Sequence, residues 1–272
     1  MAPEDLQFLQ ALLQGRSGFV LQADRAYLVE SRLGSLARRE GYPSVSALLV
    51  ALRQQPGGTL AWAAIEAMSS TDTHFFRDRT PFAQLQAEIL PAFAKARPGG
   101  AVRVLSAGCA TGQEPYSIAM AAREAGLDGV EICGADLSER CLEKARAGLY
   151  TQFEVQRGLP VRRLLRWFDK VEDMWRIKPE LRGVVRWGRV NLLDDLSAMA
   201  GFDVIFCRYV LKDFAPERRA RVLEALAAIL AEDGVLCLGA SETASEAGEA
   251  FRAVAGRRGM YVKTTHAARR AA

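Results

Sequence analysis

The residues best placed to do chemistry lie in RVLSAGCATGQEPYSIA, residues 103–119. A short apolar run ends there in a loop holding Gly108 and Gly112, followed by Glu114-Pro115 at the head of an alanine-rich helical pattern. Two such glycines let a backbone come close to a ligand and adopt φ values that other residues avoid. The spacing is neither GxGxxG nor GxxxxGK[ST], and the third glycine of a dinucleotide loop is missing. Pro115 suits a first helical turn. Glu114 beside it sets a carboxylate where a pyrophosphate would have to sit, which is poor for a phosphate and good for a cation. Asp136 ends the next strand-like run, VEICGAD (130–136). An acid at that point can accept hydrogen bonds from both hydroxyls of a ribose. S-adenosylmethionine, a phosphate-free nucleoside bearing an ammonium and a sulfonium, suits this set. NAD shares the loop and the acid but wants the third glycine, so a dehydrogenase is the more distant reading.

Other chemistries have little to build on. There are two histidines, His74 and His266, and five cysteines without a CxxC pair (Cys109, Cys133, Cys141, Cys207 and Cys237). Neither a zinc centre nor a Ser-His-Asp triad is expected from these, and the thiols read as reduced, buried hydrophobes. The formal charge is +4, with arginines spread along the chain and not interleaved with aromatics, so no nucleic acid is expected. No apolar run reaches the length of a membrane span. The acidic start MAPEDLQFLQ lacks the basic segment of a signal peptide, which predicts a cytoplasmic location.

The elements that must hold the loop follow two grammars. Residues 1–80 show helical periodicity, with Leu6, Leu9, Leu12 and Leu13 on one stripe and Tyr27, Leu28, Leu33 and Leu36 on another. Arg25, Arg32 and Arg39 recur every seven residues along one side of a helix, either a solvated face or a docking surface for an acidic partner. From about residue 100, apolar runs at 101–107, 130–136, 184–190, 203–207 and 234–240 alternate with helical patterns at 114–125, 138–147 and 216–231. That alternation predicts an α/β fold, a doubly wound and mostly parallel sheet of Rossmann-like type. GMYVKT (259–264) reads as an edge strand, and residues 151–183 as an inserted excursion. The expected division is a helical domain over 1–80 and a cofactor-binding domain over 81–272.

With these motifs in hand, the chain resembles the CheR-type chemoreceptor glutamate O-methyltransferases. After the helical region, SSTDTHFFRD (69–78) is similar to the family's TTNxTxFFRD, and SAGCATGQEPYSIA to SAGCSTGEEPYSIA. GADLSERCLEKARAGLY (134–150), VNLLD (190–194), FDVIFCRYVLKDF (202–214) and GVLCLGASE (234–242) follow in family order. The resemblance implies a class I S-adenosylmethionine-dependent methyltransferase with a helical amino-terminal domain and a small inserted β-subdomain. The implied reaction moves a methyl group to glutamate side chains on the cytoplasmic helices of a receptor, leaving S-adenosylhomocysteine. It also implies that Thr73, Arg77, Glu114, Asp136, Asn191, Leu192 and Arg208, with Gly108 of the loop, line the cofactor site. Arg77 is the implied catalytic residue; the bland alternative for it is a surface ion pair with Asp78 or Asp72.

Three departures bear on activity. The family's CRNVLIYF reads CRYVLKDF here, which puts Tyr209 in place of an asparagine that reaches the cofactor and Asp213 in place of a functional tyrosine. Thr71 stands where the family carries an amide. Asp213 would add negative charge near an arriving carboxylate; two charges about 5 Å apart at an effective dielectric of ~20 repel by roughly 3 kcal/mol. These changes leave room for a cofactor-binding regulator or for a different acceptor. In some members the inserted subdomain grips a receptor's terminal pentapeptide through a glycine-bearing loop. FDKVEDMWRIKPEL (168–181) is short and lacks that glycine, so no pentapeptide tether is expected. The basic helix, with Arg25, Arg32, Arg38 and Arg39, would face an acidic receptor region, with the chain acting as a monomer.

Overall fold

The computed structural model describes residues 2–22, 27–199 and 201–264. The chain forms two compact units. One takes the residues up to Ser70 together with Lys212–Arg218; the other takes Thr71–Leu211 and the chain from Arg219 onward. The expected boundary at residue 80 therefore moves to Ser70. The reason is packing: Phe75 and Phe76 are buried in the core of the second unit.

The first unit contains helices α1 (Pro3–Ser17), α2 (Tyr27–Arg39), α3 (Val45–Gln54) and α4 (Thr59–Met68). Ser44 caps α3 by accepting the Ala47 N–H at 3.1 Å, as a short hydroxyl does at a helix start. Leu9, Leu12, Leu13, Leu33 and Leu36 of the expected stripes are buried, but Tyr27 is exposed, and Val29 on the adjoining face takes its place in the core. A short antiparallel bridge joins Phe19 to Phe214 within the same unit.

The second unit opens with α5 (Thr80–Gln84), which passes through a π-helical turn (Leu85–Ile89) into α6 (Leu90–Ala96). Pro91 has no N–H to give the ordinary helical bond, and the widened turn absorbs that loss. Then come β1 (Val102–Ala107), α7 (Gln113–Glu124), β2 (Val130–Asp136), α8 (Glu139–Ala147), β3 (Leu149–Thr151), α9 (Gln152–Gln156), α10 (Val161–Trp167), β4 (Phe168–Val171), β5 (Met174–Ile177) and α11 (Pro179–Arg182). The chain continues through β6 (Val185–Arg189), β7 (Phe202–Cys207), α12 (Pro216–Ile229), β8 (Leu230–Leu238), β9 (Phe251–Ala253) and β10 (Met260–Lys263).

Seven strands form the main sheet in the order β6-β2-β1-β7-β8-β10-β9. The first five are parallel, and β10 runs antiparallel to both of its neighbours. Strand β7 is buried along its whole length, as a central parallel strand covered on both faces must be. GMYVKT was expected at an edge, but β10 lies inside the sheet. The edge is β9, a three-residue strand too short to give a periodic signal. Because β1 pairs with β2 on one side and β7 on the other, the carboxyl ends of these three strands open a crevice at the point where strand order reverses.

The excursion forms a separate antiparallel sheet, β3-β5-β4. It starts at Leu149, just before the expected 151. Phe75 ties it to the main core, with its ring centroid 5.1 Å from that of Tyr150 and 5.5 Å from that of Phe168. Trp167 is buried and donates to Glu124 Oε1 at 3.1 Å, which makes it a core residue.

Candidate active site

Strand β1 delivers the glycine loop to the crevice, and the loop's own hydrogen bonds decide what it can hold. The Gly108 and Cys109 amides donate to Ala135 O (2.8 and 3.0 Å), the Gly112 amide to Cys109 O (3.1 Å), and the Ala110 amide to Asp136 Oδ2 (2.8 Å). With those N–H groups spent inside the chain, the loop is no phosphate cradle, which works by pointing free amides at an anion. Tight packing enforces this conformation. A Cβ on Gly108 (φ 75°) would come within 2.4 Å of Val210 Cγ2, and one on Gly112 (φ 91°) within 2.7 Å of Ala145 Cβ.

Asp136 sits at the end of β2, half-buried. Its Oδ2 accepts the Ala110 amide and its Oδ1 the Ser138 amide at 2.9 Å. Besides the ribose role expected of it, the carboxylate braces the loop. Each oxygen has two lone pairs, so bracing the loop and accepting from ribose hydroxyls are compatible.

Glu114 has partners that its place in the motif does not show. It is buried in the first turn of α7, where Oε1 accepts the Ser106 hydroxyl (2.8 Å) and Oε2 meets Arg208 Nη1 at 3.0 Å. The negative charge read as a cation site is answered from within the chain. Arg208, at the carboxyl end of β7, has a side chain only 1% exposed. Its Nη2 reaches Asp78 Oδ2 at 2.6 Å and donates to Arg77 O at 2.9 Å. Burial works against this guanidinium, yet the charges of Glu114 and Asp78 more than offset it and hold its pKa above the ordinary arginine value. Arg208 Nε is buried without a hydrogen-bond partner. Arg208 is the internal counter-charge of Glu114 and Asp78.

The segment 71–79 forms another wall. Phe76, Asp78 and Arg79 have φ values of 50°, 68° and 51°, and Tyr209 of 61°. Strained backbone of this kind gathers where the surroundings over-determine it. The Phe76 amide donates to Ser117 Oγ (3.0 Å) on α7, and Gly158 leaves room for the Phe75 carbonyl, which a Cβ there would meet at 2.1 Å. Arg77 donates through Nη1 to Asp72 O (2.8 Å), sets Nη2 3.2 Å from Asp72 Oδ2, and lays its guanidinium 3.7 Å from the centroid of the Tyr209 ring. Asp72 pairs also with Arg157 at 2.7 Å. The Tyr209 hydroxyl donates to Asp78 Oδ2 and its amide to Glu242 Oε2. His74 is half-buried and titrates below its ordinary value, because burial and then the charges of Arg157 and Arg77 disfavour the imidazolium. Burial, reinforced by the charges of Asp136 and Glu114, pushes the Cys109 thiol well up and leaves it inert.

Of the remaining expected residues, Asn191 and Leu192 follow β6, where the Asn191 side-chain oxygen accepts the Leu193 amide at 3.2 Å. Thr73 is half-buried and Thr71 exposed, both on the same segment as Arg77. The docking set comes apart. Arg25 lies outside the described residues. Arg32 is half-buried and donates to the carbonyls of Met68 and Ser69, so it ties α2 to the end of α4. Arg38 and Arg39 are exposed on α2. Asp213 belongs to the first unit, where its carbonyl accepts the Val20 amide at 2.8 Å. Sequence reasoning missed Asp78 and Glu242 as site residues. Both stood inside quoted motifs, FFRD and GASE, but a carboxylate in a motif does not announce its partner. Among the described residues, no three His, Cys, Asp or Glu side chains converge on a metal position. No helix among them is long and apolar enough to cross a membrane.

Comparison with known proteins agrees with this geometry. Residues 4–69 match the family described as CheR methyltransferase, all-alpha domain, and residues 71–260 match CheR methyltransferase, SAM binding domain. The chain is 38% identical over 249 residues to chemotaxis protein methyltransferase 1 of Pseudomonas aeruginosa, covering 89% of this chain and 90% of that one. It is 36% identical over 246 residues to the chemotaxis protein methyltransferase Cher2 of Pseudomonas putida, covering 88% and 90% respectively. Against the chemotaxis protein methyltransferase of Vibrio parahaemolyticus it is 35% identical over 271 residues, with coverage of 97% and 98%.

Proposed function

The chain belongs to the CheR methyltransferase family and carries its S-adenosylmethionine-binding domain, and on that footing we propose that it methylates glutamate side chains on the cytoplasmic helices of a chemoreceptor. The observation that carries the acceptor class is that the site's carboxylates are already engaged. Glu114 and Asp78 are held by Arg208, Asp72 by Arg77 and Arg157, and Asp136 by backbone amides. His74, with its lowered pKa, is a weak base. A hydroxyl or amine acceptor would need one of these groups to take its proton. A glutamate, with a pKa near 4.3, arrives ionised and needs none.

S-adenosylmethionine, when bound, supplies a methyl group made electrophilic by its sulfonium. In this reading the chain contributes alignment and exclusion of water. Asp136 takes the ribose, Asn191 and Leu192 line the side beyond β6, and Arg208 holds Glu114 and Asp78 in place. The Arg77 guanidinium forks onto the incoming carboxylate and fixes its line of approach. Exposed Arg38 and Arg39 support docking of an acidic receptor face. The β4–β5 connection is only Glu172-Asp173, without a glycine, which supports action without a pentapeptide tether.

The test uses methyl-labelled S-adenosylmethionine, the purified chain and the cytoplasmic fragment of a receptor from the same cell. Base-labile label on the receptor, absent when its acceptor glutamates are changed to alanine, is the expected result. Tight binding of S-adenosylhomocysteine with no transfer to any receptor would replace this reading by that of a cofactor-binding regulator.

A further inference from the structure

We propose that Tyr209 is the positioning residue for Arg77, its ring serving as the platform that fixes the plane and direction of the guanidinium. The inference rests on the proposed role of Arg77 in methyl transfer, and it goes beyond that role by assigning what aims the side chain.

Two constraints of different kind meet at Arg77. Asp72 takes the guanidinium by its edge, through its carbonyl at 2.8 Å and Oδ2 at 3.2 Å. An edge contact leaves the plane free to swing about the Asp72 contacts. The Tyr209 ring supplies the missing restraint, with Arg77 Cζ 3.7 Å from its centroid, closer than the Arg163–Phe76 stack at 4.0 Å. A planar cation is held there by the ring's negative face and by dispersion.

The platform itself is fixed at four points. Its backbone holds φ 61°, a region a bulky residue occupies only under constraint. Its amide is bound by Glu242 Oε2, which also accepts the Gly239 amide at 2.9 Å. Its hydroxyl is bound by Asp78 Oδ2, the oxygen that also meets Arg208. Its ring lies against Gly239 so closely that a Cβ there would sit 3.0 Å from both Cδ1 and Cε1. Glycine at 239 therefore makes the slot into which the ring fits. Through Asp78 the same tyrosine joins the buried Arg208 to Arg77, the residue proposed to face the acceptor.

The test combines a spectroscopic readout with a kinetic one on the full chain. The Arg77 Hε resonance, assigned by its loss in Arg77→Lys, is expected upfield in the wild type from the ring current. It should stay upfield in Tyr209→Phe and return to the random-coil position in Tyr209→Leu. In methyl transfer, Tyr209→Leu should lower kcat about 3- to 30-fold, the range set by a partly desolvated cation–π pair, with Tyr209→Phe falling less. The same change made in an Arg77→Met background should cost no more than about twofold, since the residue it positions is gone. S-adenosylhomocysteine titration of each variant reports whether the pocket survives. An unshifted Hε in the wild type overturns the proposal, and so does a Tyr209→Leu effect that persists undiminished without Arg77. The wild-type shift needs no substitution at 209, so misfolding of the leucine variant does not spare the idea. If the wild type transfers no methyl to any receptor, the proposed function fails while the Hε position still decides the platform.

Discussion

Replacing Arg208 by methionine keeps much of the buried volume and removes the one charge that faces both Glu114 and Asp78. Solvent offers little relief. The Arg208 side chain is 1% exposed and that of Glu114 12%, so the carboxylate left behind stays desolvated. Removing one partner of such a pair costs about 3–5 kcal/mol, mostly the penalty of the orphaned charge. Asp78 is 34% exposed and rehydrates, so the lower end applies, about 3 kcal/mol. For a chain of this size that lowers the melting temperature by about 6–12 °C. Adding Glu114→Gln to Arg208→Met removes the orphaned charge and should recover about half of the loss. Thermal and urea unfolding of the wild type, Arg208→Met and the double variant at pH 7 check this. A single variant within about 1 kcal/mol of wild type would refute the reasoning, as would a double variant less stable than the single.

Four further outcomes are expected. Because the folded-state pKa of His74 lies below 6.5, the unfolded chain takes up that proton first, so this contribution to stability is lost as pH falls below about 6.5. Urea midpoints between pH 7 and pH 5 should fall less steeply in His74→Gln, and an unchanged slope would remove His74 from the account. Gly108→Ala should destabilise by about 2 kcal/mol and weaken S-adenosylhomocysteine binding, since its Cβ meets Val210 at 2.4 Å on a left-handed backbone; an unchanged melt and titration would contradict the packing. Arg32→Ala should cost about 1–2 kcal/mol through the lost bonds to Met68 and Ser69. Arg38→Glu with Arg39→Glu should instead leave the melt nearly unchanged and raise the KM for receptor, more at low salt than at high. A melt that drops as much for Arg38 and Arg39 as for Arg32 would sink that distinction.

What could be read from the sequence was what is local or periodic. The glycine loop, Asp136 and the alternation of strands and helices announce themselves within a few residues, because turn chemistry and side-chain period are local facts. The partner of Glu114 does not: Arg208 stands 94 residues away, and only the β1–β7 pairing brings them together. Asp78 lies 130 residues from Arg208, and its neighbour Arg77 was weighed against either aspartate when Asp72 is the one it takes. Arg32 fell on a periodic row with Arg39, yet period reports a face of the helix and says nothing of what covers it. Strand β9 escaped because three residues carry no alternation to detect.

The passage Lys212–Arg218 has a consequence of its own. The polypeptide departs from the sheet-bearing unit after Leu211, lends this strip to the helical one, and comes back at Arg219. No single cut can thus part the two. Expression from Thr71 onward would strand the strip without Phe19 and Val20, whose backbone it matches.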